Sequence, residues 1–201
     1  MKKLELINKS IGAAFLISLG NYALLKLGNP IGPFIFAFGL LGVCYLGKNL
    51  FTCKCGFVIE DKIKFWDLMI ILIVNLIAGY LFGLLYSYAD CELIDVAIMK
   101  VNSWSFSLPF FIKAFLCGTI MYLAVKMYRE KTPLGIIYGI PLFILCGFQH
   151  CIANVITLGV ARTCDWSLVL AVIGNFAGSL FIWYITKTWP VKEETVSKKR
   201  K

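Results

Sequence analysis

Long apolar runs, separated by short stretches of charge or by glycine and proline, fill nearly the whole chain. They fall near residues 7 to 27, 31 to 47, 66 to 89, 105 to 127, 136 to 160 and 167 to 187. A helix needs roughly 20 mostly apolar residues to cross a bilayer, so the pattern predicts an all-α membrane protein with six transmembrane helices. Two of the runs are interrupted. The second is followed by a short apolar remnant, Leu50 to Ile59, that holds LFT and then CKCG, and the fifth carries GFQH at its middle. Both read as broken helices. The first run contains Asn21 and Tyr22 and has no small-residue cleavage site at its end, which predicts a retained helix and not a signal peptide.

The interruptions also repeat. NPIG at Asn29 to Gly32 opens the second run as TPLG at Thr132 to Gly135 opens the fifth, and each run then meets a glycine break, Gly47 in GKNLFT and Gly147 in GFQHC. With three spans in each half, two such halves must lie in opposite orientations. Inverted three-helix repeats with discontinuous helices are a transport architecture, with the substrate path where the breaks meet.

Composition agrees with this picture. The 201 residues are 60% hydrophobic and only 15% charged, with a mean hydropathy of +0.82, more apolar surface than a water-soluble fold hides. The pattern divides the chain into a six-helix transmembrane domain, residues 1–189, and a basic cytoplasmic tail, residues 190–201. The net charge of +9 belongs to topology. If both termini face the cytoplasm, the inner segments hold fifteen Lys and Arg, the tail Lys198 to Lys201 included, while the outer loops hold only Lys26, Lys100 and Arg162. Asp90, Glu92 and Asp95 make the longest outer loop acidic. A multi-pass protein of the plasma membrane with cytoplasmic termini is expected. The tail fits contact with anionic membrane lipid, and no basic groove interleaved with aromatics points to nucleic acid.

The eight cysteines add little. Cys44, Cys117, Cys146 and Cys151 lie in apolar runs, where cysteine behaves as a small hydrophobe. A lone CxC, Cys53 and Cys55, is weak evidence for a metal, and no metal or cofactor is expected. Cys91 and Cys164 fall in loops on the same outer face, where a disulfide is a minority expectation.

The chemistry gathers at the breaks. Non-helical backbone in lipid is tolerated only where protein or a water-lined cavity satisfies its polar groups, so the LFT and QH breaks are expected to face inward together. Thr52 then brings a hydroxyl and His150 an imidazole to one small space. His150 is the only histidine and lies mid-span, where an ionisable residue is a functional-site candidate by default.

GKNLFT, FLCGTIMYLAV and GFQHCIANV resemble the formate/nitrite transporter family over essentially all six spans. The family's fifth-helix EHxxAN-type motif matches QHCIAN at Gln149 to Asn154, and its LFT matches Leu50 to Thr52. The resemblance implies a homopentamer of aquaporin-like protomers, each with a pore for formate, nitrite, hydrosulfide or a related small monovalent anion. It places an inner constriction at Phe36, Leu40 and Phe143, an outer one at Leu50, Phe51 and Met121, and Thr52 and His150 between them. It also sets Lys100 near the outer end of the fourth span. In two places this chain departs from the family, which has Glu before the histidine and Asn after the fourth-helix cysteine, whereas here stand Gln149 and Gly118. Gln149 is expected to orient His150 by hydrogen bonding without holding a charge, and Gly118 to leave the pore with one donor fewer and a wider or differently selective passage.

A bare anion in an apolar constriction costs many kcal/mol, a cost that a weak acid sheds by taking up a proton. The expected mechanism has Lys100 and Lys48 drawing the anion in, with His150 and Thr52 stabilising it or helping to protonate it, since histidine titrates near neutral pH. A channel for water, ammonia or urea, using His150 only as a hydrogen-bond donor, is the alternative. An enzyme built on Cys151 and His150 is disfavoured, because adjacent helical residues diverge and no carboxylate or metal set completes a site.

Overall fold

The computed structural model describes residues 3–187. Lys2, Lys192 and the tail 190–201 therefore lie outside the described residues. Within them the chain is all-helical: α1 (Lys3–Leu27), α2 (Ile31–Tyr45), α3 (Phe51–Lys54, continued by a 3₁₀ turn at Cys55–Phe57), α4 (Phe65–Ala89), α5 (Glu92–Asn102), α6 (Leu108–Arg129), α7 (Leu134–Leu145), α8 (Cys151–Val160) and α9 (Ser167–Thr186). Four of these, α1, α4, α6 and α9, are long and apolar enough to cross a membrane, and α2, α7 and α8 are shorter apolar helices. Large apolar side chains such as Phe38, Ile77, Leu81 and Phe181 remain exposed, as expected of a surface solvated by lipid.

The second and fifth apolar runs come in two pieces each. Both first pieces end in the same way. Leu46 donates to Gly42, Gly47 to Cys44 and Lys48 to Val43; one hundred positions later Cys146 donates to Leu142, Gly147 to Ile144 and Phe148 to Phe143, all between 2.9 and 3.3 Å. This is the Schellman pattern, in which a left-handed residue past the helix end lets two N–H groups satisfy its last carbonyls. Gly47 and Gly147 supply that residue with φ of 60° and 68°, a region costly to residues with a Cβ.

The acidic segment expected as a loop differs. Residues 92–102 form α5, because Leu93, Ala97 and Val101 recur every four residues and are buried together, while Glu92 and Asp95 stay on the outer side of that turn pattern. Charge also segregates along the molecule. Lys26 pairs with Asp90 at 2.7 Å and Glu92 at 3.2 Å at one end, and Arg129 makes a bidentate pair with Asp61, 2.9 and 2.6 Å, at the other. That guanidinium holds the Asp61 carboxyl below the usual carboxylate range.

Candidate functional site

The two breaks meet at the centre, each held by one asparagine. Asn75 of α4 accepts from Phe51 N–H at 2.8 Å and donates to the carbonyls of Ser10 (2.8 Å) and Asn49 (3.1 Å). Asn175 of α9 accepts from Cys151 N–H at 2.8 Å and donates to Ala114 (2.8 Å) and Gln149 (2.7 Å). Both asparagines are fully buried. Loop backbone that has left the helical ladder needs such partners when water is excluded. Their signal in the sequence is a single polar residue mid-way along IVNLIA and VIGNFAG, outside the motifs at the breaks.

Between these clamps Thr52 and His150 touch. Thr52 Oγ1 lies 2.9 Å from His150 Nε2, and the residues are 1% and 2% exposed, sealed enough that each needs its partner. The direction of the bond follows from the other side of the ring. His150 is the N-cap of α8, and its Nδ1 accepts from Ala153 N–H at 3.0 Å. An accepting Nδ1 carries no hydrogen, so the neutral ring is protonated at Nε2 and donates to Thr52. The Thr52 hydroxyl keeps its own hydrogen for a further acceptor. Putting a proton on Nδ1 would set two donors against each other and cost the cap.

A cavity of about 60 Å³ opens from His150 toward Lys100, with Phe36, Phe143, Gln149 and Asn154 in its wall. At about 30 Å³ per water it has room for an occupant of two or three heavy atoms. Phe143 stacks on the imidazole, centroids 5.8 Å apart, and meets Phe36 edge to face at 6.3 Å. Lys100 lines the cavity from α5, before α6, the fourth expected span, begins. Part of its side chain still meets solvent, yet burial lowers its ammonium to about 8. It therefore stays mostly charged at neutral pH while giving up protons more readily than an ordinary lysine.

Leu40, Leu50, Phe51 and Met121 are all but fully buried. Beyond them, one turn after Met121, Val125 lines a second cavity of about 290 Å³ that also has Val43, Cys53, Lys48, Lys54 and Arg129 in its wall. Lys100, Phe36, Phe143 and His150 thus share one cavity, and Val43, Cys53, Val125 and Arg129 share the other. Phe36 and Phe143, expected at the inner end, instead lie with Lys100. Phe36 and Phe143 share the Lys100 side, because α2 begins at the end where α1 finishes and packs Phe36 against Gly20.

Two further expectations change. Gln149 does not bond His150: its Oε1 accepts from Asn154 at 3.0 Å and its Nε2 donates to the Gly147 carbonyl at 3.0 Å, so the backbone of α8 orients the ring. Gly118 does not face the cavity. A Cβ there would run into the backbone of Asn175, so glycine lets α6 and α9 approach, and no wider passage follows from it. Cys91 and Cys164 are free thiols.

A family model described as Formate/nitrite transporter matches residues 4–166. Among solved structures, a chain described as an FNT family ion channel superposes with a TM-score of 0.73 at 21% identity, over 92% of this chain and 87% of that one. At that identity the likeness shows the fold. No curated protein matches the sequence.

Proposed function

The chain belongs to the formate/nitrite transporter family, a family of multi-pass membrane proteins, and on that premise we propose that it is a channel for formate or a related small monovalent anion. The observation that carries this reading is one cavity walled by Phe36 and Phe143 that is lined by Lys100 and by His150, whose ring bonds the Thr52 hydroxyl. An anion in the cavity of about 60 Å³ sits between the Lys100 ammonium and the polar pair. Coulomb attraction across a few ångströms of partly desolvated space is worth several kcal/mol at an effective dielectric near 20, enough to offset much of the cost of leaving bulk water. The Thr52 hydroxyl hydrogen, left unused by His150, is available to the anion or to its protonated acid.

Proton involvement enters through the next step. Leu50, Phe51, Leu40 and Met121 offer no polar atom to a charge, so passage there favours the neutral acid. With Nδ1 held by Ala153 N–H, His150 serves as a fixed donor through Nε2 in its neutral form, and protons arrive with the anion. Lys48 and Lys54 bring positive charge to the far cavity, where Arg129 is already paired with Asp61.

The architecture proposed is six spans in two inverted three-helix repeats, an aquaporin-like protomer. It is supported by the recurrence of both the Schellman turns and the asparagine clamps one hundred positions apart. Fifteen Lys and Arg on one set of loops against three on the other support cytoplasmic termini in a plasma membrane. A homopentamer is proposed from family membership, with the exposed apolar faces as its contacts and as lipid-facing surface; native mass spectrometry of the purified chain tests it. The function is tested by flux into proteoliposomes of formate, nitrite, hydrosulfide and a short monocarboxylate at two pH values. Saturable anion flux that depends on the pH gradient is expected. Equal permeation of urea or ammonia, with no response to that gradient, would replace this reading by a neutral-solute channel.

A further inference from the structure

A second cavity on the Arg129 side lies off the proposed anion path. It measures about 300 Å³ and is lined by Lys54, Lys62, Lys64, Asp61, Asp67 and Asn49 among others. Asp61 is already committed to Arg129. Among the described residues Lys54, Lys62 and Lys64 have no ion-pair partner, so three lysines without a paired carboxylate line one concavity with Asp67. Asn49 supplies the second observation. It is 4% exposed, and its Nδ2 is a buried donor with no partner. A buried amide N–H left unpaired costs about 1–3 kcal/mol, and in a native fold it asks for an occupant.

We propose that this cavity is a binding site for a phosphate-bearing anion, a phosphate ester with a small polar organic part, distinct from the transported anion. Three lysines and an amide donor match an oxyanion with several acceptor oxygens and close to two negative charges near neutral pH. A three-atom monovalent anion would leave most of the space empty, since the volume equals about ten waters. Leu6 and Ile71 provide an apolar wall for the carbon part, and Asp67 an acceptor for a hydroxyl.

The site is coupled to the centre in two ways. Asn49 is continuous with Leu50, Phe51 and Thr52, and its backbone is already tied to Lys9 N-terminally and Asn75 across the break. A turn of the Asn49 amide that brings Nδ2 to the cavity it lines gives a bound oxyanion a third tie, which holds that loop in its packed, constricted position. Lys54 lines both this cavity and the one on the anion path, so a bound phosphate also draws positive potential away from the path. Both effects slow flux. This consequence rests on the channel reading, whereas the binding does not.

The test uses the full chain in nanodiscs of zwitterionic lipid, at constant ionic strength, with thermal unfolding followed against inorganic phosphate and glycerol phosphate. A saturable rise in Tm is expected, with affinity at least tenfold weaker in K62Q/K64Q and about threefold tighter in Asp67→Asn. In proteoliposomes, glycerol phosphate is expected to halve formate flux or better in the natural chain and to leave K62Q/K64Q flux unchanged. A Tm rise seen only in nanodiscs containing phosphatidylglycerol and lost in K62Q/K64Q assigns the site to a lipid headgroup. No saturable rise with any of the three sources, or a rise of equal affinity in K62Q/K64Q, overturns the site. Binding without formate flux under any condition would keep the site and remove the channel reading.

Discussion

Residues 47–52 and 147–152 are the same backbone device carrying different side chains. Each begins with a left-handed glycine that closes a Schellman turn, and each has its first N–H past the break received by a buried asparagine 24 residues on. Where one loop has Leu50 the other has His150, and where one has Thr52 the other has Ile152. The leucine caps α3 with no side-chain bond, whereas the histidine caps α8 through Nδ1. The scaffold is doubled and the chemistry is not: each loop contributes one polar group, and the pair exists only because the scaffold brings both loops to one point.

The largest expected effect comes from breaking the shared scaffold. Asn175→Ala leaves one N–H and two carbonyls in the interior without partners, a loss of about 3 kcal/mol or more at roughly 1–3 kcal/mol per unsatisfied group. Asn75→Ala removes the matching set, and the two variants are expected to lower thermal stability by similar amounts and to stop flux. Unequal losses, with one variant near the natural Tm, would break the equivalence of the two loops.

The next test separates the two jobs of His150. His150→Phe is expected to abolish formate flux or its pH response while the oligomer survives. His150→Asn, in contrast, keeps a good N-cap but is too short to span to Thr52, so stability is expected within about 1 kcal/mol of the natural chain and flux far below it. Flux in His150→Phe equal to that of the natural chain would remove the imidazole from the mechanism.

How much of this was legible beforehand divides along the same line. The broken spans, the glycines and the Thr52 and His150 pair were readable because apolar length, Gly breaks and a mid-span histidine are local in sequence. The ends of the two constrictions were not, since Phe36 and Phe143 are ordinary core residues until the antiparallel packing of α1 on α2 fixes which end they share with Lys100. Gly118 was misread for a related reason: whether a glycine opens a passage or admits a neighbouring helix depends on what stands opposite, here the α9 backbone. The helix α5 is hidden in the sequence because its apolar repeat has only three members, Leu93, Ala97 and Val101, set among charged residues.

Lys100 sharpens the contrast between the ends. Its ammonium, lowered to about 8 by burial, is charged below that pH and neutral above it. Attraction for an anion is therefore full at pH 6 to 7 and lost as pH passes 8 to 9, and saturation by formate is expected to weaken in that window. Lys100→Gln is expected to raise the half-saturating formate concentration several-fold at pH 7 and to flatten the change between pH 7 and 9. A pH profile identical to that of the natural chain would show that the lysine does not set anion entry.

The smallest effect belongs to Thr52, because His150 can still donate elsewhere when it is replaced. Thr52→Val keeps the shape and removes both the acceptor for Nε2–H and the hydroxyl hydrogen left for the anion. Thr52→Ser keeps both. If the hydroxyl contacts the anion, Val is expected to lower flux a few-fold, with Ser near the natural rate and both folding normally. If its role is only to seat His150, Nε2–H in the Val variant is left buried and unpaired, at a cost of about 1–3 kcal/mol, and the loss appears in Tm before it appears in flux. Which quantity moves first therefore tells whether the hydroxyl at the centre serves the passing anion or the ring beside it.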